Sequence, residues 1–511
     1  MAQATVAAEP TALDEFVYAD DPDYAYRLVD TELEFTHTRY VLHLTSGAWR
    51  SEAEVDRRLW THWVTVYVPH RLVRRTALLV VSGGSNESLP DFDSLDDSLG
   101  AIALLPGSVI VDLGQVPNQP LQFAGEEEPR SEDALIAYSW KRFLENPADE
   151  QWPAQLPMTR AAVRAMDAVQ DHLRQVRPDD PIDDFIVAGA SKRGWTSWLA
   201  AAVENGPLGG GRVSAVVPMV IDVLNAEKSF DHHFKVYGFW APAVGDYVEA
   251  GVMDHLGTPE LAALFDLVDP YAYRERLTMP KFILNSAGDQ FFAPDSWKFY
   301  YRDLPGFTWL RYFPNTDHSL SQVPDPLEEI LPLYYQLVSN GPESVPAPSW
   351  SVLEDGTIRL QTDEQGVEVR LWQATNPEAR DFRYESIGPA YSAQPLADQG
   401  GGVFTGTVAP PADGWIAYFL EVTFSDGTAA SSGVHVTAKP EDIVLRIERD
   451  GEDVALRFNS KPGEWYQVQS GATPAEMEVT DTLVPQGSQS EWVDPDPQEE
   501  RKFYRIESVR P

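Results

Sequence analysis

One turn limits the folds open to this chain more than any other feature. The β-rich run Phe185–Ala188 leads directly into Gly189-Ala190-Ser191-Lys192-Arg193-Gly194. A helical stretch with Trp195, Trp198, Leu199, Ala202 and Val203 on one face follows without a spacer. A strand that becomes a helix within a few residues needs small residues where the two backbones pass, and it lifts the residue at the apex clear of the sheet. Here the apex is a serine. The common form of such a turn is Gly-x-Ser-x-Gly; in this chain the second glycine comes one residue late, and Arg193 takes its usual place.

The alternation of strand and helix extends from about Leu28 to Leu337. Trp63–Val68, Thr76–Val81, Ser108–Leu113, Val213–Ile221, Lys281–Asn285 and Trp309–Phe313 read as strands. Ala162, Ala165, Met166, Val169 and Leu173 recur with the period of a helix. The pattern predicts an α/β domain around a mostly parallel sheet covered on both faces. The Pro-rich segment Gly341–Ser349 ends it. Beyond, helical periodicity gives way to short strands at Thr357–Gln361, Val367–Trp372, Gly402–Val408, Ala417–Phe424 and Gly433–Thr437, the pattern of a β-sandwich. After a second break near Pro440, the runs Val444–Glu448, Val454–Phe458, Trp465–Val468 and Phe503–Ile506 indicate another β module. The expected organisation is an N-terminal extension (1–27), a catalytic domain (28–340) with a cap-like excursion (226–280), a β-sandwich (348–439) and a small β module (441–511).

Composition narrows the function. The 511 residues carry 79 acidic and 39 basic side chains, a net charge of −40, which repels phosphate backbones and anionic lipid and argues against nucleic-acid and membrane-surface roles. Cysteine is absent, which excludes disulfides, thiolate chemistry and cysteine-ligated metals. No run approaches the roughly 18 apolar residues of a membrane span. The first 30 residues lack a basic start and an apolar core, so no signal peptide is expected in the chain as given. The opening Met-Ala-Gln-Ala-Thr is compatible with a trimmed export signal. A secreted or periplasmic location is favoured, and a cytoplasmic one stays open.

A serine hydroxyl needs a base, a group to orient that base, and donors for the oxyanion. After the Lys281–Asn285 strand, Ser286-Ala287-Gly288-Asp289 presents a carboxylate; after the Trp309–Phe313 strand comes Pro314-Asn315-Thr316-Asp317-His318. The order serine, acid, histidine is that of α/β-hydrolases, and His318 is the one histidine between His255 and His435. The bland readings are a surface loop for His318 and a helix cap before Phe291 for Asp289. Asp222, at the end of Val220-Ile221-Asp222, is the rival acid; Asp295 and Asp317 are weaker ones.

The N–H of Lys192 is the first candidate oxyanion donor. The second is in Ser82-Gly83-Gly84-Ser85-Asn86, with Gly84 the leading residue. Lys192 and Arg193 are conspicuous in so acidic a chain: they either bind an anionic substrate group or pair with acids such as Glu132 or Asp133. Arg193, Trp240 and Asp222 are the candidate substrate contacts, Trp240 because the excursion's aromatic residues suit a cap over a pocket. His232 and His233 lack a convincing ligand spacing, so neither a metal nor another cofactor is expected. Trp350, Trp372 and Trp415 are either core residues or stacking faces through which the β modules contact a polymer or cell surface.

Several phrases resemble the PhoPQ-activated pathogenicity-related proteins: Gln115-Val116-Pro117-Asn118-Gln119-Pro120-Leu121, Glu132-Asp133-Ala134-Leu135-Ile136-Ala137-Tyr138, Leu156-Pro157-Met158-Thr159 and the serine turn itself. Val220-Ile221-Asp222-Val223-Leu224-Asn225, Gly288-Asp289-Gln290-Phe291-Phe292, Asn315-Thr316-Asp317-His318-Ser319 and Leu371-Trp372-Gln373-Ala374 continue the resemblance, which spans about Tyr24 to Pro440. It implies an α/β-hydrolase fold with an appended β domain, commonly in exported proteins. It also implies that the late glycine is the family's own form of the turn, and that Ser191, His318 and Asp289 form the triad. From about Glu441 the chain lies outside it and is similar to small terminal β modules of secreted bacterial proteins. The expected activity is a serine hydrolase acting through an acyl-enzyme on a small-molecule or peptide substrate, with an esterase preferred to a peptidase. A binding or signalling protein on a hydrolase scaffold is the competing class.

Overall fold

Runs rich in Val, Ile and Leu lie at the middle of one nine-stranded sheet, as burial on both faces requires. The computed structural model describes residues 9–88, 102–104, 106–323, 326–438, 445–450, 453–460, 465–471, 478–484, 489–494 and 503–509. The strands of the sheet are β1 (Ala25–Leu33), β2 (His37–Ala48), β3 (Leu59–Pro69), β4 (Thr76–Val81), β5 (Ile110–Leu113), β6 (Asp184–Ala190), β7 (Val213–Met219), β8 (Lys281–Ser286) and β9 (Thr308–Phe313). Their spatial order is β1-β2-β3-β5-β4-β6-β7-β8-β9. Strands β4 to β9 pair in parallel, and β1 to β3 form an antiparallel edge joined to β5. The fold is that of an α/β-hydrolase.

Each predicted strand of this domain has a counterpart within a few residues, and the helix over Met158–Leu173 runs from Gln155 to Val176. That helix buries Ala162, Ala165, Met166, Val169 and Leu173, the five positions whose spacing predicts it. Within the segment expected to be an N-terminal extension, Ala12–Tyr18 is helical and closed by a capping box between Thr11 and Asp14. Its Asp14 receives Arg276 at 2.8 Å, and its Tyr18 hydroxyl donates to Glu204 at 2.9 Å.

After the linker, β10 (Ser349–Val352), β11 (Ile358–Gln361) and β14 (Val403–Gly406) form a three-stranded sheet. A second sheet has the order β13-β12-β15-β16, from β12 (Glu368–Asn376), β13 (Ser392–Leu396), β15 (Trp415–Thr423) and β16 (Ala429–Ser431), with β17 (His435–Ala438) paired to β15. The hydrophobic core is continuous from Phe282, Trp309 and Phe313 of the large sheet through Leu333 and Leu337 to Ile358, Leu371, Leu420 and Phe424. The hydrolase sheet and this β module therefore share one interior, and the chain up to Val408 together with Ala417–Val436 is one unit. Trp297 joins them directly: its indole N–H donates to Val434 O at 2.8 Å, and its ring packs on Trp350 at 4.8 Å. Trp350 also stacks on Tyr301 at 5.4 Å.

A second unit contains β18 (Leu445–Asp450), β19 (Asp453–Asn459), β20 (Trp465–Gly471), β21 (Glu478–Leu483), β22 (Gln489–Val493) and β23 (Phe503–Val509). They form sheets ordered β18-β19-β22 and β21-β20-β23 around Leu456, Phe458, Tyr466, Val468 and Trp492. Among the described residues no helix is long and apolar enough to cross a membrane.

A Cβ at position 433 would lie 2.1 Å from the Trp297 ring, so Gly433→Ala forces the two packed surfaces apart. Overpacking of this kind costs about 1–3 kcal/mol. Urea unfolding of the full chain is expected to show that loss; an unchanged midpoint would refute the close contact.

Candidate active site

Ser191 sits at the C-terminal end of β6, between Ala190 and the helix Lys192–Glu204, with φ 57 and ψ −128. This conformation is unfavourable for a residue with a side chain and costs on the order of 1–3 kcal/mol. The flanking glycines make the turn possible. A Cβ on Gly189 would lie 2.5 Å from Arg193 O, and one on Gly194 would lie 2.9 Å from both Gly189 O and Ile221 Cγ2. The late glycine is thereby explained: a side chain at position 194 would crowd the β6 carbonyl of Gly189 and the Ile221 side chain. Ser191 N–H donates to Met219 O at 2.8 Å and fixes the apex to β7.

His318 follows β9 in a turn that begins with Asn315 in the left-handed region, φ 56. Its Nε2 is 2.8 Å from Ser191 Oγ, and its Nδ1 is 2.8 Å from Asp289 Oδ2. With the carboxylate as acceptor, Nδ1 donates and Nε2 is left to accept from the serine hydroxyl. Asp289 is buried, and its second oxygen accepts the N–H of Phe291 at 2.8 Å. No helix follows Asp289 directly, so the helix cap weighed for it is absent; the bond to Phe291 N–H and the bond to His318 occupy one oxygen each. Gln290 Oε1 accepts the N–H of His318 at 3.0 Å, and Phe291 packs on the imidazole at 4.4 Å.

The rival acids are engaged elsewhere. Asp317 accepts from Ser319, at 2.8 Å from its N–H and 2.6 Å from its hydroxyl. Asp295 binds His232 at 2.8 Å and both Lys298 and Arg380 at 2.6 Å. Burial would raise its carboxyl, but His232, Arg380 and Lys298 outweigh that and hold it well below the usual range. Asp222 lies between Ile221 and Val223, which line the cleft, but does not line it itself. Its carboxyl accepts from Tyr300 at 2.7 Å and from Tyr312. Burial raises it to about 7 against the pull of those two hydroxyls, and the charge of Asp289 adds to the rise.

The basic pair beside Ser191 is fully matched. Lys192 Nζ is 2.9 Å from Glu132 and 2.9 Å from Asp133. The Arg193 guanidinium donates twice to Glu132, at 2.6 and 2.7 Å, and its Nε donates to Val116 O at 2.5 Å. Burial acts to raise the Glu132 carboxyl, yet Arg193 and Lys192 bring it down to about 2. Of the two roles open to Arg193 in the sequence, the geometry has it paired with an acid. Its guanidinium also lies against Gly83, so it holds the loop that contains Gly84 beside the start of the helix. Gln119 adds to this, binding Glu132 at 2.5 Å and Gly84 O at 3.3 Å. As the first helical residue, Lys192 has an N–H with no acceptor inside its helix.

A cleft of about 420 Å³, including its open mouth, leads to Ser191. Its walls are mostly apolar, with Ile221, Val223, Phe230 and Phe292 among them, and Asp133, Lys192 and Tyr247 form a polar side. Tyr247 donates to Asp133 at 3.0 Å. Trp240 instead stacks on His233 at 5.6 Å; His233 accepts the N–H of Ala241 at 3.0 Å and pairs with Phe291 O at 3.1 Å. Through Phe291 the excursion is tied to the imidazole. Sequence reasoning missed Tyr247, Tyr300 and Tyr312, which no local pattern marks. Gln290 was readable as the neighbour of Asp289 in the Gly288–Phe292 phrase.

The family model for PhoPQ-activated pathogenicity-related protein matches residues 13–383. Autocrine proliferation repressor protein A of Dictyostelium discoideum is 37% identical over 436 residues, which cover 81% of this chain and 86% of that protein. Among solved structures, acetyl xylan esterase 1 from Thermoanaerobacterium sp. JW/SL YS485 is similar at 17% identity, over 64% of this chain and 93% of its own, with a TM-score of 0.40. An acetyl xylan esterase from Paenibacillus sp. R4 is similar at 12% identity, over 64% and 92%, with a TM-score of 0.44.

The Asp222 site yields a pH prediction. Its folded carboxyl titrates near 7, above the unfolded value of 3.8, so its contribution to stability is full below about 3.8 and is lost as pH rises through 7. Asp222→Asn lacks that loss. The melting temperature of the variant relative to wild type is therefore expected to improve from pH 5 to pH 8; a constant difference would contradict a buried neutral acid.

Proposed function

The chain belongs to the PhoPQ-activated pathogenicity-related protein family, and we propose that it is a serine hydrolase, an esterase in preference to a peptidase. The observation that carries the proposal is the continuous chain of 2.8 Å contacts from Ser191 Oγ through His318 to Asp289. In this reading Ser191 attacks the substrate carbonyl while His318 Nε2 takes the hydroxyl proton, and Asp289 stabilises the imidazolium. The N–H of Lys192 and a donor from the Gly84 loop receive the oxyanion. Collapse of the tetrahedral intermediate passes the proton from His318 to the leaving alkoxide and leaves an acyl group on Ser191. Water, activated by the same imidazole, then releases the acid.

Two features support an ester over a peptide substrate. Glu132 and Asp133, the acids available to hold a free amino terminus, are already paired with Lys192 and Arg193, so a substrate ammonium has to displace ion pairs whose cations are largely buried. The apolar walls at Ile221, Val223 and Phe230 suit a short acyl chain. A second reading, a signalling protein on a hydrolase scaffold, draws on the name of the 37% identical relative, a proliferation repressor.

Wild type is expected to be labelled by a fluorophosphonate and to cleave short-chain nitrophenyl esters faster than aminoacyl nitroanilides. Ser191→Ala should abolish labelling and lower kcat on the order of 10⁴–10⁶-fold. Equal labelling of wild type and variant would sink the mechanism, and activity confined to the anilides would overturn the preference for esters. Loss of labelling in Ser191→Ala with full biological activity retained would favour the signalling reading.

A further inference from the structure

The loops that carry Asp289 and His318 are held from outside the hydrolase sheet, by residues 383–391 of the first β module. On the acid side, Tyr384 N–H donates to Gly288 O at 2.8 Å, and the buried Tyr391 hydroxyl donates to Ala287 O at 3.4 Å. A Cβ on Gly288 would lie 2.5 Å from Thr316 O and 3.0 Å from Tyr384 N. The acid loop, the histidine loop and the β module therefore meet with no room for a side chain between them. On the histidine side, Asn315 Nδ2 donates to Tyr391 O at 2.9 Å, and Asn315 Oδ1 accepts Tyr391 N–H at 2.8 Å. One side-chain amide thus satisfies both backbone polar groups of Tyr391, as a neighbouring strand would.

Asn315 is three residues before His318. Its positive φ of 56 suits asparagine, which tolerates the left-handed region better than other side chains. Inside the hydrolase domain the same loop is tied by Gln290 to His318 N–H and by Ser286 Oγ to Thr316 O, at 2.7 Å. Those ties come from the acid loop itself, so they fix the two loops to each other. The bonds to Tyr391, together with that of Tyr384 to Gly288, fix the pair to the β module. Just upstream, Ser431 Oγ accepts the N–H of Tyr312 at 2.9 Å and extends this attachment to the end of β9.

We infer that Asn315 is a positioning residue: through its paired bonds to Tyr391 it sets His318 against Ser191 and Asp289, so the β module is part of the catalytic centre. The inference rests on the serine-hydrolase reading above for its catalytic consequence. Misplacement of a reacting group by about 1 Å costs on the order of 100-fold in rate. Loss of the amide also leaves the buried N–H and C=O of Tyr391 unpaired, which favours movement of the loop rather than its retention.

The test uses the full chain with Asn315→Gly, which keeps the left-handed turn accessible and removes only the side-chain bonds, and Asn315→Asp, which keeps an acceptor for Tyr391 N–H but no donor. Hydrogen–deuterium exchange of peptides covering 286–291 and 314–319 is measured alongside kcat, KM and the fluorophosphonate labelling rate. Asn315→Gly is expected to speed exchange in both loops and to leave the helix 155–176 unchanged. Its kcat and labelling rate should fall about 10- to 100-fold, with KM within about twofold. Asn315→Asp should fall between Asn315→Gly and wild type. Unchanged exchange in both loops overturns the brace, and faster exchange with wild-type kcat overturns its positioning role. If wild type is not labelled at Ser191, the serine-hydrolase reading fails, while the exchange data still decide whether the β module holds the two loops.

Discussion

The approach of β6 to the helix it feeds is the constraint from which the rest of the site follows. The backbones come so close that a Cβ at Gly189 or Gly194 would lie within 2.5–2.9 Å of a carbonyl oxygen. Ser191 is left at the apex in a conformation with φ 57. Such strain persists only where the surroundings overdetermine it. Here they do: Trp195, Trp198 and Leu199 are buried on the helix, and full burial of such side chains stabilises by roughly 1.5–3 kcal/mol each. The gain from packing the helix exceeds the cost of the turn. The serine hydroxyl is therefore presented by the fold and not by its own preference.

The same helix start concentrates charge. Lys192 and Arg193 enter a chain with a net charge of −40, and their partners are Glu132 and Asp133 at the first turn of another helix. Lys192 and Arg193 are largely buried, so removal of their acids would leave buried cations uncompensated. The four charges therefore act as a set that ties the helix Glu132–Glu145, the Gly84 loop and the Ser191 turn together. Asp222 illustrates the complementary solution: with two tyrosine hydroxyls and no cation, its carboxyl rises to about 7.

The histidine and acid loops depend on a third layer. Neither loop is regular structure, and both leave the ends of adjacent strands, β8 and β9, where the sheet no longer supplies backbone partners. The β module supplies others: Tyr384 N–H binds Gly288 O, the Tyr391 backbone binds the Asn315 side-chain amide, and Ser431 Oγ accepts Tyr312 N–H near the end of β9. The continuous core beneath these contacts, from Trp309 to Leu371 and Leu420, makes the β module a wall of the hydrolase domain.

Much of this was legible in the residues themselves. Hydrophobic periodicity marks each strand of the parallel sheet and the helix Gln155–Val176, because burial on two faces or on one stripe leaves its own period. The chain order of Ser191, Asp289 and His318 follows from topology, since each lies at the C-terminal end of a parallel strand. The choice of Asp289 over Asp222 was not legible. Both end a strand of the same sheet, and which carboxyl reaches the imidazole depends on tyrosines 78 and 90 residues downstream of Asp222. Nor did sequence decide between an anion-binding and an ion-paired Arg193, or assign Asn315 to Tyr391, 76 residues away in sequence. The amino-acid sequence determines local period, the sharp turn and the order of reactive groups, because these are set by neighbours along the chain. Partner choice for buried charges and loop ends is set by contacts between distant segments, and only the tertiary structure decides it.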